Sequence, residues 1–156
     1  MKFHFVVLCI LAAGLANEAR AEPGDAETIT SCLKTEQKAG RDASSCIGRI
    51  SNPCMKAPGG DTTLGMTMCL DRETRIWDAL LNDEYQKLIE NLEPNAVKKV
   101  RAAQRAWIAA RDADCEVPYG IFEGGTIARP MAVECMRDAT ATRTLQIGVW
   151  RAMTQN

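Results

Sequence analysis

Residues 64–92 read LGMTMCLDRETRIWDALLNDEYQKLIENL, and the fold follows from this stretch. Its apolar positions are Met66, Cys69 and Leu70, Trp77, Leu80 and Leu81, Tyr85, Leu88 and Leu92. They recur every three to four residues over about seven turns, the period of a helix with one buried face. Pro94 suits the first turn of a second helix, where its missing N–H costs nothing. That helix carries Val97, Val100, Gln104, Trp107 and Ile108, Arg111 and Cys115 on one stripe and is expected to end near Cys115. Two amphipathic helices joined at Glu93-Pro94 predict an antiparallel hairpin.

Shorter elements lie on the N-terminal side. Asp25 is placed to cap a helix with Ile29, Cys32 and Leu33 on one face, ended by Gly40. Asp42 can cap a second, with Cys46, Ile47 and Ile50 at helical spacing and Pro53 as its stop. Met55 to Thr62, with Pro58, Gly59 and Gly60, reads as a loop. Beyond the hairpin, Pro118, Gly120, Gly124 and Gly125 mark another loop. Pro130 then opens a last helix with Met136, Ala139, Arg143, Ile147 and Trp150 on its face. The expected fold is all-α, a small disulfide-stapled helical bundle. It is built on the long antiparallel hairpin plus a C-terminal helix and two short N-terminal helices.

Residues 1–21 have the anatomy of an export signal: Lys2, an apolar run from Phe3 to Leu15, and Ala19-Arg20-Ala21 before the expected cut. That leaves residues 22–156 as a single helical domain, periplasmic or secreted, with no later stretch long enough to insert in a membrane. Leu8 before Cys9, and the position of Cys9 inside the apolar run, argue against a lipid anchor. Cleavage removes Lys2, Arg20 and Glu18 and moves the formal charge from −1 to −2. Such a balance lacks the basic stripe of a nucleic-acid binder.

Six cysteines remain: Cys32, Cys46, Cys54, Cys69, Cys115 and Cys135. An even count in an exported chain points to disulfides, and six allow 15 pairings. The expected pairing joins sequence neighbours across element boundaries: Cys32–Cys46, Cys54–Cys69 and Cys115–Cys135. Its rival joins Cys69 to Cys115, which the hairpin also brings to similar heights. No C-x-x-C is present, and the only histidine, His4, leaves with the signal. Neither a metal nor a cofactor is expected.

Three charged residues interrupt the apolar stripes: Glu73, Arg111 and Arg143. In the hairpin reading, Glu73 and Arg111 lie at the same open end, and opposite buried charges at one level should pair. The three are therefore expected to form a polar clamp that fixes helix register, or else a binding site. Without histidine, no Ser-His or Cys-His pair can form. Glu73, Asp78 and Asp112 are the carboxylates that sugar chemistry could use, but acidic residues at helical spacing are ordinary surface. The chain is not expected to be an enzyme.

Met68-Cys69-x-x-x-Glu73, followed by Trp77-Asp78-Ala79-Leu80-Leu81-Asn82-x-x-Tyr85, resembles the first long helix of the LprI-like lysozyme-inhibitor family. The stretch from Ala103 to Cys115, AQRAWIAARDADC, is the most specific part of the likeness. Gly124-Gly125-Thr126, then Cys135 with Thr140 and Arg143, is similar as well. The resemblance covers residues 54–145. It departs at Ala110, where many relatives carry Phe, and residues 22–50 with Cys32 and Cys46 are an addition to it. It implies an exported helical domain with disulfides, acting by binding rather than catalysis. The partner it suggests is a lysozyme-type muramidase. The resemblance itself places no inhibitory loop; the candidate binding loop read from this sequence is Gly124, Gly125, Thr126 with the nearby Arg129, held by the Cys115–Cys135 region. A periplasmic structural or interaction protein with another partner is the alternative.

Overall fold

The computed structural model describes residue 22 and residues 24–155; the expected signal segment lies outside them. All regular structure among these residues is helical: α1 (Asp25–Lys38), a 3-10 turn (Ala43–Cys46), α2 (Ser51–Lys56), α3 (Thr63–Glu90), α4 (Pro94–Ile121) and α5 (Ala128–Met153). The all-α, disulfide-stapled bundle is what the structure shows. Bonds join Cys32 to Cys46, Cys54 to Cys69, and Cys115 to Cys135, with Cα separations of 5.8, 5.6 and 5.4 Å.

The element boundaries follow local chemistry. Asp42 caps the 3-10 turn by accepting from Ser44 N–H at 2.9 Å. Thr62 caps α3 through Gly65 N–H, also at 2.9 Å. Pro53 does not stop a helix, as the sequence suggested, but is the third residue of one. In a first turn the N–H has no intrahelical partner, so proline costs little there. The same holds for Pro130 in α5. α4 continues past Cys115 through Pro118 to Ile121. A proline in the last turn forfeits a single intrahelical bond.

The expected antiparallel pair of α3 and α4 is present, but α5 is the principal neighbour of both. Thr144 bonds to the Trp77 carbonyl and Arg151 to Glu84, both at an offset of 67 residues, so α3 and α5 run parallel. Cys115–Cys135 and Gln104–Arg143 pair in opposite order, so α4 runs antiparallel to α5. α3 and α4 point in opposite directions and meet through side chains at one core centre, where Val100 and Trp107 pack against the cluster of Leu81, Leu88 and Ile147. α5 packs most extensively on α3 and next on α4. Small side chains make this possible: Ala132, Thr140, Ala141 and Thr144 are buried on α5 and admit a close neighbour.

The core has two centres. Ile29, Cys46, Ile50, Ile76, Trp77 and Ala141 form one, where α1 and the 3-10 turn seal the bundle. Leu81, Leu88 and Ile147 form the other, with Tyr85, Leu92, Val100, Trp107 and Trp150 packed around them. Arg72 ties α1 to α3 through a two-pronged bond to Asp25, at 2.6 and 2.7 Å. This guanidinium holds the Asp25 carboxyl below its ordinary range.

Candidate functional site

Glu73 is fully buried, but its partners are not Arg111 or Arg143. Oε1 accepts from Gly48 N–H at 2.7 Å and Trp77 Nε1–H at 2.9 Å. Oε2 accepts from Ile50 N–H at 3.0 Å, Ser51 N–H at 2.7 Å and the Ser51 hydroxyl at 2.8 Å. Five donors thus close around one carboxylate. Burial raises its pKa, yet the bonds from Ser51, Trp77 and Gly48 outweigh this and hold it below the ordinary range. Gly48 adopts φ +85° to aim its N–H inward, a conformation that favours glycine.

The arginine of this knot is Arg137, buried on α5, which donates to the Ser51 hydroxyl at 2.8 Å. The expected clamp fails because it presumed that α4 packs beside α3; α5 occupies that place and supplies the cation. Arg111 instead pairs with Asp112 at 2.8 Å and stacks on Trp107. Arg143 lies over both Trp107 and Trp150, with Gln104 and Gln146 accepting its bonds. Its Nη2 is buried without a hydrogen-bond partner among the described residues, and burial pulls its pKa down. The three residues therefore belong to two structural clusters. Arg137, Ser51 and Gly48 escaped the sequence reading. Arg137 sits one position off the apolar stripe assigned to α5, and the stripe itself was drawn for one buried face where α5 has two.

Paired carboxylates are not assembled for acid–base work. Every strong acceptor direction of Glu73 is occupied, while Asp78 and Asp112 are exposed on different helices.

The turn between α4 and α5 is exposed and is tied back to the fold on both sides. Glu123 to Ile127 are all exposed. Gly125 N–H bonds to the Phe122 carbonyl at 2.7 Å, Gly124 adopts φ +69°, and Cys115–Cys135 ties the two helices behind it. Large apolar side chains left in solvent gather at this pole: Val117, Tyr119 and Ile121 at the end of α4, and Ile127 and Met131 at the start of α5. Because α3 runs parallel to α5, its exposed Leu64 and Met68 share the pole. Arg129 reaches a groove of about 440 Å³ there, with Leu64, Met68, Asp71, Arg75 and Val133. Arg75 is partnered by Asp71 at 2.8 Å, whereas Arg129 makes no ion pair among the described residues. A second cleft of about 400 Å³ lies between α1 and α5, crossed by the Glu84–Arg151 pair at 2.6 Å.

The family model described as Lysozyme inhibitor LprI matches residues 54–147, from α2 through most of α5. An uncharacterised protein of Rhizobium meliloti (strain 1021) is 26% identical over 107 residues, covering 60% of this chain and 75% of the relative. The uncharacterised YecT of Escherichia coli (strain K12) is 29% identical over 121 residues, covering 67% and 75%. No solved structure matches the chain. The family match takes in Glu73, Arg137, two of the three disulfides and the α4–α5 turn, and leaves out α1 with Cys32–Cys46. Spanning more than half of the sequence, it makes this chain a member of the LprI lysozyme-inhibitor family.

Proposed function

We propose that the chain is an exported binding protein that inhibits a lysozyme-type muramidase with the pole around the α4–α5 turn. The observation that carries this reading is the gathering of exposed Val117, Tyr119, Ile121, Ile127, Met131, Leu64 and Met68 around one ordered turn. Seven of the ten exposed large apolar side chains among the described residues sit there, and exposed apolar surface concentrated at one end of a molecule marks an interaction surface. A muramidase cleft carries a carboxylate pair. Arg129, exposed and in no ion pair among the described residues, offers that pair a planar fork of donors. The apolar rim supplies the burial that a single ion pair does not. Glycines at 124 and 125 keep the turn slender enough to enter a cleft.

Titration calorimetry of the mature chain against a purified lysozyme tests this. Arg129→Ala and Ile121→Asp should each weaken binding at least about tenfold, the usual loss on removing an interface anchor. Lys34→Ala, at an exposed position on α1, should leave it unchanged. Absence of binding, or equal affinity in all variants, refutes the reading.

A further inference from the structure

α4 is the least covered of the long helices. Of its 28 residues only Cys115 is buried, and the half-buried ones run along one line: Val97, Val100, Gln104, Trp107 and Arg111. At about 100° per residue, the opposite crest consists of Ala102, Ala106, Ala109 and Ala113, all exposed. Along one flank of that crest, in chain order, stand Lys98, Arg105, Asp112 and Glu116, also exposed.

The order of these charges opposes the helix dipole, which favours acid near the N-terminus and base near the C-terminus. Intrachain pairing does not account for it. Lys98, Arg105 and Glu116 enter no ion pair among the described residues, and Asp112 takes only its neighbour Arg111. The pattern is, however, its own complement when reversed.

We propose that this face of α4 joins two copies of the chain, packed antiparallel about a twofold axis between Ala106 and Ala109. Such an axis turns the flank onto itself with the chain direction reversed. Lys98 then meets Glu116 of the second copy, and Arg105 meets Asp112, each pair occurring twice. Ala102 faces Ala113 and Ala106 faces Ala109, so the two backbones can approach closely. A parallel twofold pair would set this flank against the opposite one, where Ala103 and Ala110 offer the charges no partner. Self-complementarity is the demand of an isologous contact, which singles out a second copy over a foreign partner. The α4–α5 turns of the two copies lie at opposite ends of this pair, clear of the contact.

Sedimentation of the mature chain, residues 22–156, from about 1 to about 100 µM should show a reversible dimer. About 1 M NaCl should weaken it at least about tenfold, because exposed pairs are screened. The double variants Lys98→Glu/Arg105→Glu and Asp112→Lys/Glu116→Lys should each be monomeric with unchanged helical circular dichroism. Mixed in equal amounts they should dimerise again, since every pair is then restored. A monomeric wild type overturns the proposal, as does a dimer that survives both reversals or a mixture that stays monomeric. Binding of the monomer to anionic vesicles through the basic half would overturn it in favour of a membrane surface.

Discussion

Glu73→Gln keeps the shape of the buried side chain and replaces one acceptor oxygen with a donor. The amide can keep its oxygen towards Ile50 and Ser51, where three donors converge. Its NH2 then faces Gly48 N–H and Trp77 Nε1–H, which had bonded at 2.7 and 2.9 Å. Two buried donors are stranded, at about 1–3 kcal/mol each. The three surviving bonds also lose the strength that an ionised acceptor gave them. Relief of the carboxylate's own burial cost works the other way. The net expectation is a loss of about 3 kcal/mol, or roughly 10 °C in Tm. Urea denaturation at neutral pH, with disulfides intact, reads it as a lower midpoint at unchanged slope. The pH profile gives an independent check. Because the folded pKa of Glu73 is depressed, its stabilisation is complete above the ordinary glutamate value of about 4.3 and drains away as pH falls below it. The Gln variant lacks that part of the slope, so the two stability curves converge in acid. A loss under about 1 kcal/mol, or parallel curves, would refute the assignment of Glu73 as the acceptor that organises α2 against α3.

Arg137→Met should destabilise less, by about 1–2 kcal/mol, since it removes the donor to Ser51 but leaves the Glu73 cage closed. Equilibrium unfolding of the double variant with Glu73→Gln should show non-additivity, the two residues sharing Ser51. Asp25→Asn leaves Arg72 at the α1–α3 contact with Glu22 and a single neutral acceptor in place of the two-pronged carboxylate, and should cost about 1 kcal/mol at neutral pH. The effect should vanish in acid, because the Asp25 pKa is depressed and its contribution is lost below the ordinary aspartate range. Replacing Cys115 and Cys135 together by Ser should cost about 3 kcal/mol. Hydrogen exchange should then show α4 opening before α3 or α5, Cys115 being its only buried residue.

Much of the architecture was legible because helical periodicity is a local signal. The stripes of α3 and α4 emerged nearly as drawn, and so did the cap at Asp42, whereas Asp25 is the first residue of α1 behind Gly24 rather than its cap, and the cap at Thr62 went unread. What packs against what was not legible. A short turn at Glu93-Pro94 fixes only the relative direction of α3 and α4, and α5 competes for the same apolar face with smaller side chains. The error over Glu73 follows from that one step. Its charge at a core position was readable, while three of its five donors are backbone groups of Gly48, Ile50 and Ser51 that carry no side-chain signature; only the Trp77 indole and the Ser51 hydroxyl do. Pro53 misled for a simpler reason: proline in a first turn gives up no intrahelical bond; Pro118 does give one up, to the Asp114 carbonyl, and α4 continues through it for one more turn all the same. The turn at Gly124-Gly125 was readable as a turn, but the apolar ring about it depends on α3 and α5 running parallel.

The central claim is inhibition, and a titration of lysozyme activity on peptidoglycan by the purified mature chain tests it most directly. A saturable loss of activity is expected, reversed in large part by Arg129→Ala and preserved in Glu73→Gln at temperatures where that variant is folded. Full lysozyme activity in the presence of excess folded protein would contradict it.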